Sequence, residues 1–262
     1  MMRAMWSAAA GMTAQQLNMD TISNNLANVN STGFKKARAN FQDLLYQTLN
    51  MAGTSSSTST ALPLGSQIGM GTRLTSVQRM YTTGSLRATG ARLDMAIEGD
   101  GFFRVNLPDG TQAYTRDGSF SLDQNGNVVS SQGYALDPQV TIPQDATSVT
   151  ISKDGIVTVT QPGQNQPQQV GQITIMNFVN PAGLNMLGGG LMAVTLASGD
   201  AIEGIPGQTG LGTLQQGFLE ASNVDLAEEM VNMIIGQRAY EANSKTIRTV
   251  DDMLSLLANL KR

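Results

Sequence analysis

The sequence contains neither cysteine nor histidine. Thiol nucleophiles, disulfide frameworks, Cys/His zinc sites and Ser-His-Asp triads are excluded by that alone, and most familiar hydrolase chemistry goes with them. Charge is also scarce, at 14% of residues, well below the level of an ordinary soluble domain. The 16 basic and 20 acidic residues give a net charge of -4, and no basic run tracks a phosphate backbone, so nucleic acid is not an expected partner. No apolar stretch approaches the ~20 residues of a membrane span, and the chain is not expected to be integral to a membrane. At the N-terminus, Met1 to Arg3 followed by Ala4, Met5 and Trp6 imitates a signal peptide only faintly, because Ser7 interrupts the apolar stretch; no cleavage is expected.

Present instead are 28 Gly, 15 Met and many Ser, Thr, Asn and Gln, in a chain of 262 residues, long enough to bury a core. A neutral, polar surface is poorly protected against self-association. This composition fits a polymer-forming protein, and equally an ordinary globule with few charges.

The ends read as helices. Met5, Met12, Met19 and Leu26 recur at steps of seven, while Ala9, Gln16 and Ser23 in the companion column are small or polar, a seam narrower and wetter than a leucine zipper. This helix is predicted to end near Asn28 to Thr32, with Gly33 as a left-handed C′ residue and Phe34 as its apolar contact. Leu226, Met233, Tyr240, Ile247 and Leu254 repeat the spacing, beside Gln237, Ser244 and Asp251. Ser222 with Asp225 resembles a capping box, Glu228 and Glu229 suit the opening turns, and Lys261 and Arg262 suit the closing one. Gly236 inside the helix costs ~1 kcal/mol relative to Ala and is either a close-approach point or a tolerated defect. The two half-polar seams suit each other; packing on the β region is the alternative.

Between the helices lie short alternating runs punctuated by turns. Gly101 to Leu107 and Gln112 to Arg116 flank Pro108-Asp109-Gly110; Phe120 to Leu122 and Asn127 to Ser130 flank Asn125-Gly126, a type I′ signal; Val149 to Ile151 and Ile156 to Thr160 flank Asp154-Gly155. Runs at Gln172 to Phe178 and Leu191 to Thr195 complete an all-β middle. The Ser/Thr tract 53–60, ending at Leu62-Pro63, and the stretch Gln161 to Gln169 read as loops. No repeat of solenoid or propeller period is found.

Candidate chemistry is thin. Asp123, Asn125 and Asn127 have the spacing of a calcium loop, but Tyr134 stands where the bidentate Glu is needed, so a hairpin is expected. Asp94, Glu98 and Asp100 could serve glycoside hydrolysis only if they converged. Gly69-Met-Gly71 and Gly99-Asp-Gly101 lack the rest of a dinucleotide fingerprint, and Gly188 to Gly190 is followed by Leu191 and Met192 rather than a phosphate-binding Lys. No catalytic, cofactor or metal residue is assigned.

Three blocks carry a family resemblance. Asn24-Asn25-Leu26-Ala27-Asn28-Val29-Asn30-Ser31-Thr32-Gly33-Phe34-Lys35 resembles the N-terminal signature of bacterial flagellar rod and hook proteins. Glu220 to Met230 with Gln237 to Lys245 resembles their C-terminal signature, and Asp94 to Phe103 with Tyr114 to Phe120 their middle region. Within that family the likeness is nearest to distal rod subunits, and Tyr46 through Leu62 and Pro63 to Gly71 looks like the stretch that sets them apart.

The resemblance implies an α+β fold: a discontinuous coiled coil of terminal helices (1–33 plus 220–262), a connecting region (34–95 plus 200–219) and an outer β domain (96–199). It implies a non-enzymatic subunit of a helical drive shaft. Its expected partners are further copies, proximal rod subunits, the hook protein and the P- and L-ring proteins, after type III export without a cleaved signal. Met5, Met12, Met19 and Leu26 are expected to face Leu226, Met233, Tyr240, Ile247 and Leu254 in the tube, from helices disordered before assembly. The 46–71 stretch is expected to wedge between subunits and stiffen the shaft. A proximal rod or hook subunit, or a secreted carbohydrate-active or adhesive β protein, are the alternatives.

Overall fold

The computed structural model describes residues 2–51, 55–57, 60–61, 64–162, 166–208 and 210–260. Leu62, Pro63, much of the 53–60 tract, Lys261 and Arg262 lie outside the described residues. Two helices, α1 (Met2–Ala27) and α2 (Leu226–Leu260), flank a mainly β middle, so the class is α+β as expected. The chain forms two compact units, one of 1–27, 37–78 and 225–262, the other of 28–36 and 79–224.

In the first unit α1 and α2 run antiparallel. A Cβ on Gly11 would stand 2.9 Å from Asn243 Nδ2, one on Gly236 would stand 3.2 Å from Met19 Cγ, and Asn25 bonds Glu229. Glycine at position 236 therefore marks close helix approach. Asp225 is the N-cap of α2: its Oδ1 accepts the N–H groups of Ala227 (2.8 Å) and Glu228 (3.2 Å). The expected Ser222 instead bonds the N–H of Val224, because the helix starts only at Leu226. Strand Ala37–Asp43 pairs with Thr72–Arg79, and Tyr46–Asn50 pairs antiparallel with Ser66–Gly69, Tyr46 opposite Gly69. Gly71 (φ +111°) lies against α1, where a Cβ would be 3.1 Å from that of Ala10.

The second unit is built on a seven-stranded antiparallel sheet, in the order 120–122, 128–130, 135–137, 103–106, 112–115, 191–193, 185–188. Its period-two alternation feeds two cores. Phe103, Val105 and Ala113 join Met95, Ile97, Phe120, Leu136 and Val157 in one; Tyr114 and Met192 join Phe102, Met176 and Phe178 in the other. Edge-to-face pairs fix the packing, Phe103–Phe120 at 5.2 Å and Tyr114–Phe178 at 4.9 Å between centroids. Each fully buried large side chain contributes ~1.5–3 kcal/mol of transfer free energy.

All three predicted hairpins form. The second differs at its turn: Asp123 N–H bonds Asn127 O and Gly126 N–H bonds Asp123 O, leaving a three-residue loop with left-handed Gly126 (φ +79°) in place of a two-residue type I′ turn. Gln172 to Phe178 is not one strand but the end of Gln168–Gln172 and the separate Ile175–Asn177. Gly33 is left-handed (φ +66°) but is no cap, since α1 ends at Ala27 and the Gly33 N–H bonds Glu220 O at 2.8 Å.

Candidate functional site

No carboxylate cluster or cation cage is assembled among the described residues. Among the described residues no group of three His, Cys, Asp or Glu could hold a metal, and none of the helices is long and apolar enough to cross a membrane. The features that stand out are faces and a buried ionic knot.

The helix seam is lined by small and polar groups. Ala8, Ala14, Ile22 and Asn25 are buried on α1, and Glu229, Gly236 and Val250 on α2. Of the expected apolar columns, Met5, Met12, Met19 and Leu26 are half-buried, as are Met233 and Ile247, while Leu226, Tyr240 and Leu254 are exposed. Met19 is brought against Gly236. Small seam residues let the backbones approach and turn larger side chains outward. Met230, Val231, Ile234 and Ile235 form a ridge on α2, each 52–61% exposed, with i, i+4 spacing stacking them along one face. Met2 and Trp6 are likewise exposed on α1.

A second apolar surface lies on the ribbon of Tyr46–Asn50 and Ser66–Gly69. Leu45, Tyr46, Leu49, Met51, Leu64 and Ile68 are exposed there. The Tyr46 ring covers the cross-strand Gly69, where a Cβ would be 3.3 Å from it.

Glu220 is the centre of the knot and only 1% exposed. Its Oε1 accepts from Lys35 Nζ at 2.6 Å and from Gly84 N–H at 2.8 Å, and its Oε2 accepts from Arg116 Nε at 2.9 Å. Arg116 also donates to Gly101 O (2.6 Å) and Gly99 O (2.9 Å), and Lys35 to Thr82 O (2.7 Å). Burial alone would raise the Glu220 pKa, but the charges and hydrogen bonds of Arg116 and then Lys35 outweigh it and hold the carboxyl below the ordinary range. Burial and the Arg116 charge lower that of Lys35, against the pull of Glu220. Next to the knot, Asn223 Oδ1 accepts the Lys36 N–H (2.7 Å) and its Nδ2 donates to Met80 O (2.8 Å). Arg79 lies over Phe34, 5.2 Å from its centroid.

Asn25 and Gly33 each make a structural contact, Asn25 in the seam and Gly33 to Glu220; Asn24 is exposed and Asn28 half-buried. The knot is not evident from spacing or periodicity, although Lys35, Arg116 and Glu220 sit one in each of the three resembling blocks. Ionisable residues repeated inside motifs of a charge-poor chain were the available signal.

Comparison with known families gives the same three blocks. Residues 5–35 match the model described as flagella basal body rod protein, 96–159 that of the flagellar hook protein FlgE/F/G D1 domain, and 215–260 that of the flagellar basal body rod FlgEFG protein C-terminal. These define an axial subunit of the flagellar rod and hook class. The chain is 55% identical to the flagellar basal-body rod protein FlgG of Borreliella burgdorferi over 100% of both chains. It is 52% identical to that of Buchnera aphidicola over 99% of this chain and 100% of the relative. Against the hook protein FlgE of Helicobacter mustelae the match, 42% identical, covers only 52% of this chain and 30% of that one. The chain belongs to the FlgG family of flagellar basal-body rod proteins, structural components of the basal body.

Proposed function

We propose that the chain is the repeating subunit of the distal rod, polymerising into a helical tube that carries torque toward the hook. The observation that supports this best is the exposed ridge of Met230, Val231, Ile234 and Ile235, a contiguous apolar face of the kind that another protein surface covers. A heterologous contact that does not close propagates as a helix. In this reading 1–33 with 220–262 line the inner tube, 34–95 with 200–219 form a connecting layer, and 96–199 lie outside. The columns Met5, Met12, Met19, Leu26 and Leu226, Met233, Tyr240, Ile247, Leu254 are buried between subunits. The ribbon that opens at Tyr46 and closes near Gly71 wedges between neighbours. Proximal rod subunits, the hook protein and the P- and L-ring proteins are the further partners, and the subunit travels through the type III apparatus with its N-terminus uncleaved. It performs no catalysis.

The test is Ile234→Asp in the full-length chain. Polymers seen by electron microscopy should disappear, while near-ultraviolet circular dichroism from the Tyr114–Phe178 cluster stays unchanged. Normal polymers would overturn the reading.

A further inference from the structure

Asn25 and Glu229 are the buried polar side chains of α1 and α2 among the described residues, at 1% and 4% exposure. Asn25 Nδ2 donates to Glu229 Oε2 at 3.2 Å and to Ala37 O at 2.8 Å, and the Ala37 N–H returns a bond to Asn25 Oδ1 at 2.9 Å. A single amide ties both helices to the strand Ala37–Asp43. Glu229 sits in the first turn of α2, where the helix dipole favours a carboxylate.

The rest of the seam discriminates poorly between registers. Ala8, Gly11 and Ala14 on α1 and Gly236 on α2 are small, and Met19, which reaches Gly236, is unbranched and adaptable. Sliding one helix along the other by a turn exchanges one shallow contact for another. The polar pair does not tolerate that slide: in one direction it carries Glu229 toward the buried Ile22, stranding a carboxylate in apolar surroundings and leaving Asn25 with part of its bonding unmet.

We infer that the Asn25–Glu229 pair sets the register of α1 against α2, the role that a single buried polar residue takes in other coiled coils. It decides which exposed side chains of the two helices lie side by side. The consequence for a polymer rests on the proposed function, since every subunit must then present the same composite ridge; the register itself does not depend on it.

Because the chain has no cysteine, an introduced pair contributes its only thiols. Gly11→Cys with Asn243→Cys reports the register observed, and Gly11→Cys with Tyr240→Cys reports the one-turn slide that carries Glu229 toward Ile22. In an otherwise unchanged full-length chain the first pair should oxidise in strong preference to the second. Adding Asn25→Leu with Glu229→Leu should raise the off-register disulfide, relative to the in-register one, by roughly tenfold, the discrimination expected of one buried hydrogen bond to a charged group. Adding Glu229→Gln alone, which removes the charge but keeps an acceptor for Asn25, should move the ratio much less than Glu229→Leu does. A ratio that stays within twofold in the Leu variant, or that moves as much with Glu229→Gln as with Glu229→Leu, overturns the inference. Should the double-Leu variant lose its helices by circular dichroism, the Glu229→Gln and Glu229→Leu comparison decides alone. A chain that fails to polymerise but keeps the crosslinking pattern defeats the functional reading and not this one.

Discussion

Replacing Glu220 by Gln would leave Lys35 and Arg116 as two buried cations with no counter-charge between them, each at 3% side-chain exposure. Removing one partner from a buried ionic group costs ~3–5 kcal/mol. The Gln oxygen still accepts one bond, so the lower end applies. With a urea slope of up to ~3 kcal/mol/M, the midpoint of the second unit should fall by roughly 1 M. Lys35→Met should cost far less, about 1 kcal/mol, because Glu220 keeps Arg116 and the Gly84 N–H and the remaining pair is neutral. Near-ultraviolet circular dichroism of the full-length chain in urea measures both variants, since Tyr81, Phe102, Tyr114 and Phe178 cluster in this unit. Acid supplies a second readout. The Glu220 carboxyl is held below its ordinary value, against burial, by Arg116 and Lys35, so the unfolded chain takes up its proton first. Its stabilisation is complete above the unfolded carboxylate pKa of about 4.3 and is lost as pH falls through the lower folded value. Glu220→Gln should flatten that acid limb. Lys35 acts at the other end: its folded pKa is lowered, chiefly by burial, so stability rises with pH through the alkaline range. Lys35→Met costing as much as Glu220→Gln, or an unchanged acid limb in the Gln variant, would refute the assignment of Glu220 as the centre of the knot.

Gly118→Ala should destabilise the second unit by more than ~3 kcal/mol, because the added Cβ would stand 1.6 Å from Met95 O, a backbone atom that cannot turn aside. Gly110→Ala, with φ +79° and nothing within 4 Å, should cost only the ~1–2 kcal/mol of the left-handed backbone; equal losses in thermal melts would refute the distinction. Limited trypsin digestion of the full-length chain, cutting at exposed Arg38 and Arg73, should leave the peptide containing Gly33 to Lys36 bound to the fragment that continues to Val224. It is held there by Glu220 and Asn223, and elution of that peptide alone in native size exclusion would contradict the packing.

How far the sequence discloses this depends on the range of each interaction. Both helices and the three hairpins are legible because period and turn chemistry are local signals. The seam is not, because spacing reports where large apolar residues recur, and here closest approach is made by Gly11 and Gly236, which carry no hydrophobic signal. Leu226 and Tyr240 look like core by period and are left exposed at 50% and 38%. The strands at Tyr46–Asn50 and Thr72–Arg79 carry no alternation because none of their residues is buried. The knot needed tertiary structure to be seen: Lys35 and Glu220 are 185 residues apart and Arg116 and Glu220 are 104 apart. The motifs that carried the family resemblance held all three residues without showing that they meet.

The two units complete their cores differently. In the second, Phe103, Leu136, Ile175 and Met176 reach 0% exposure, and apolar burial is sufficient within one chain. In the first, the buried apolar residues are mostly small: Ala8, Ala14 and Ala37, with Ile22 and Val250. Helices of 26 and 35 residues must repay ~1–2 kcal/mol of backbone entropy per residue, and helix propensity alone is marginal in water. A seam of alanine and glycine recovers little of that at ~25 cal/mol per Å², while Met230, Ile234, Ile235 and Trp6 stay outside and contribute nothing until another surface covers them. The helical unit is therefore expected to gain most of its order on assembly, with subunit addition and helix folding as one step. The same arithmetic leaves register to the polar pair, because a seam of alanine and glycine favours no one way for the helices to meet.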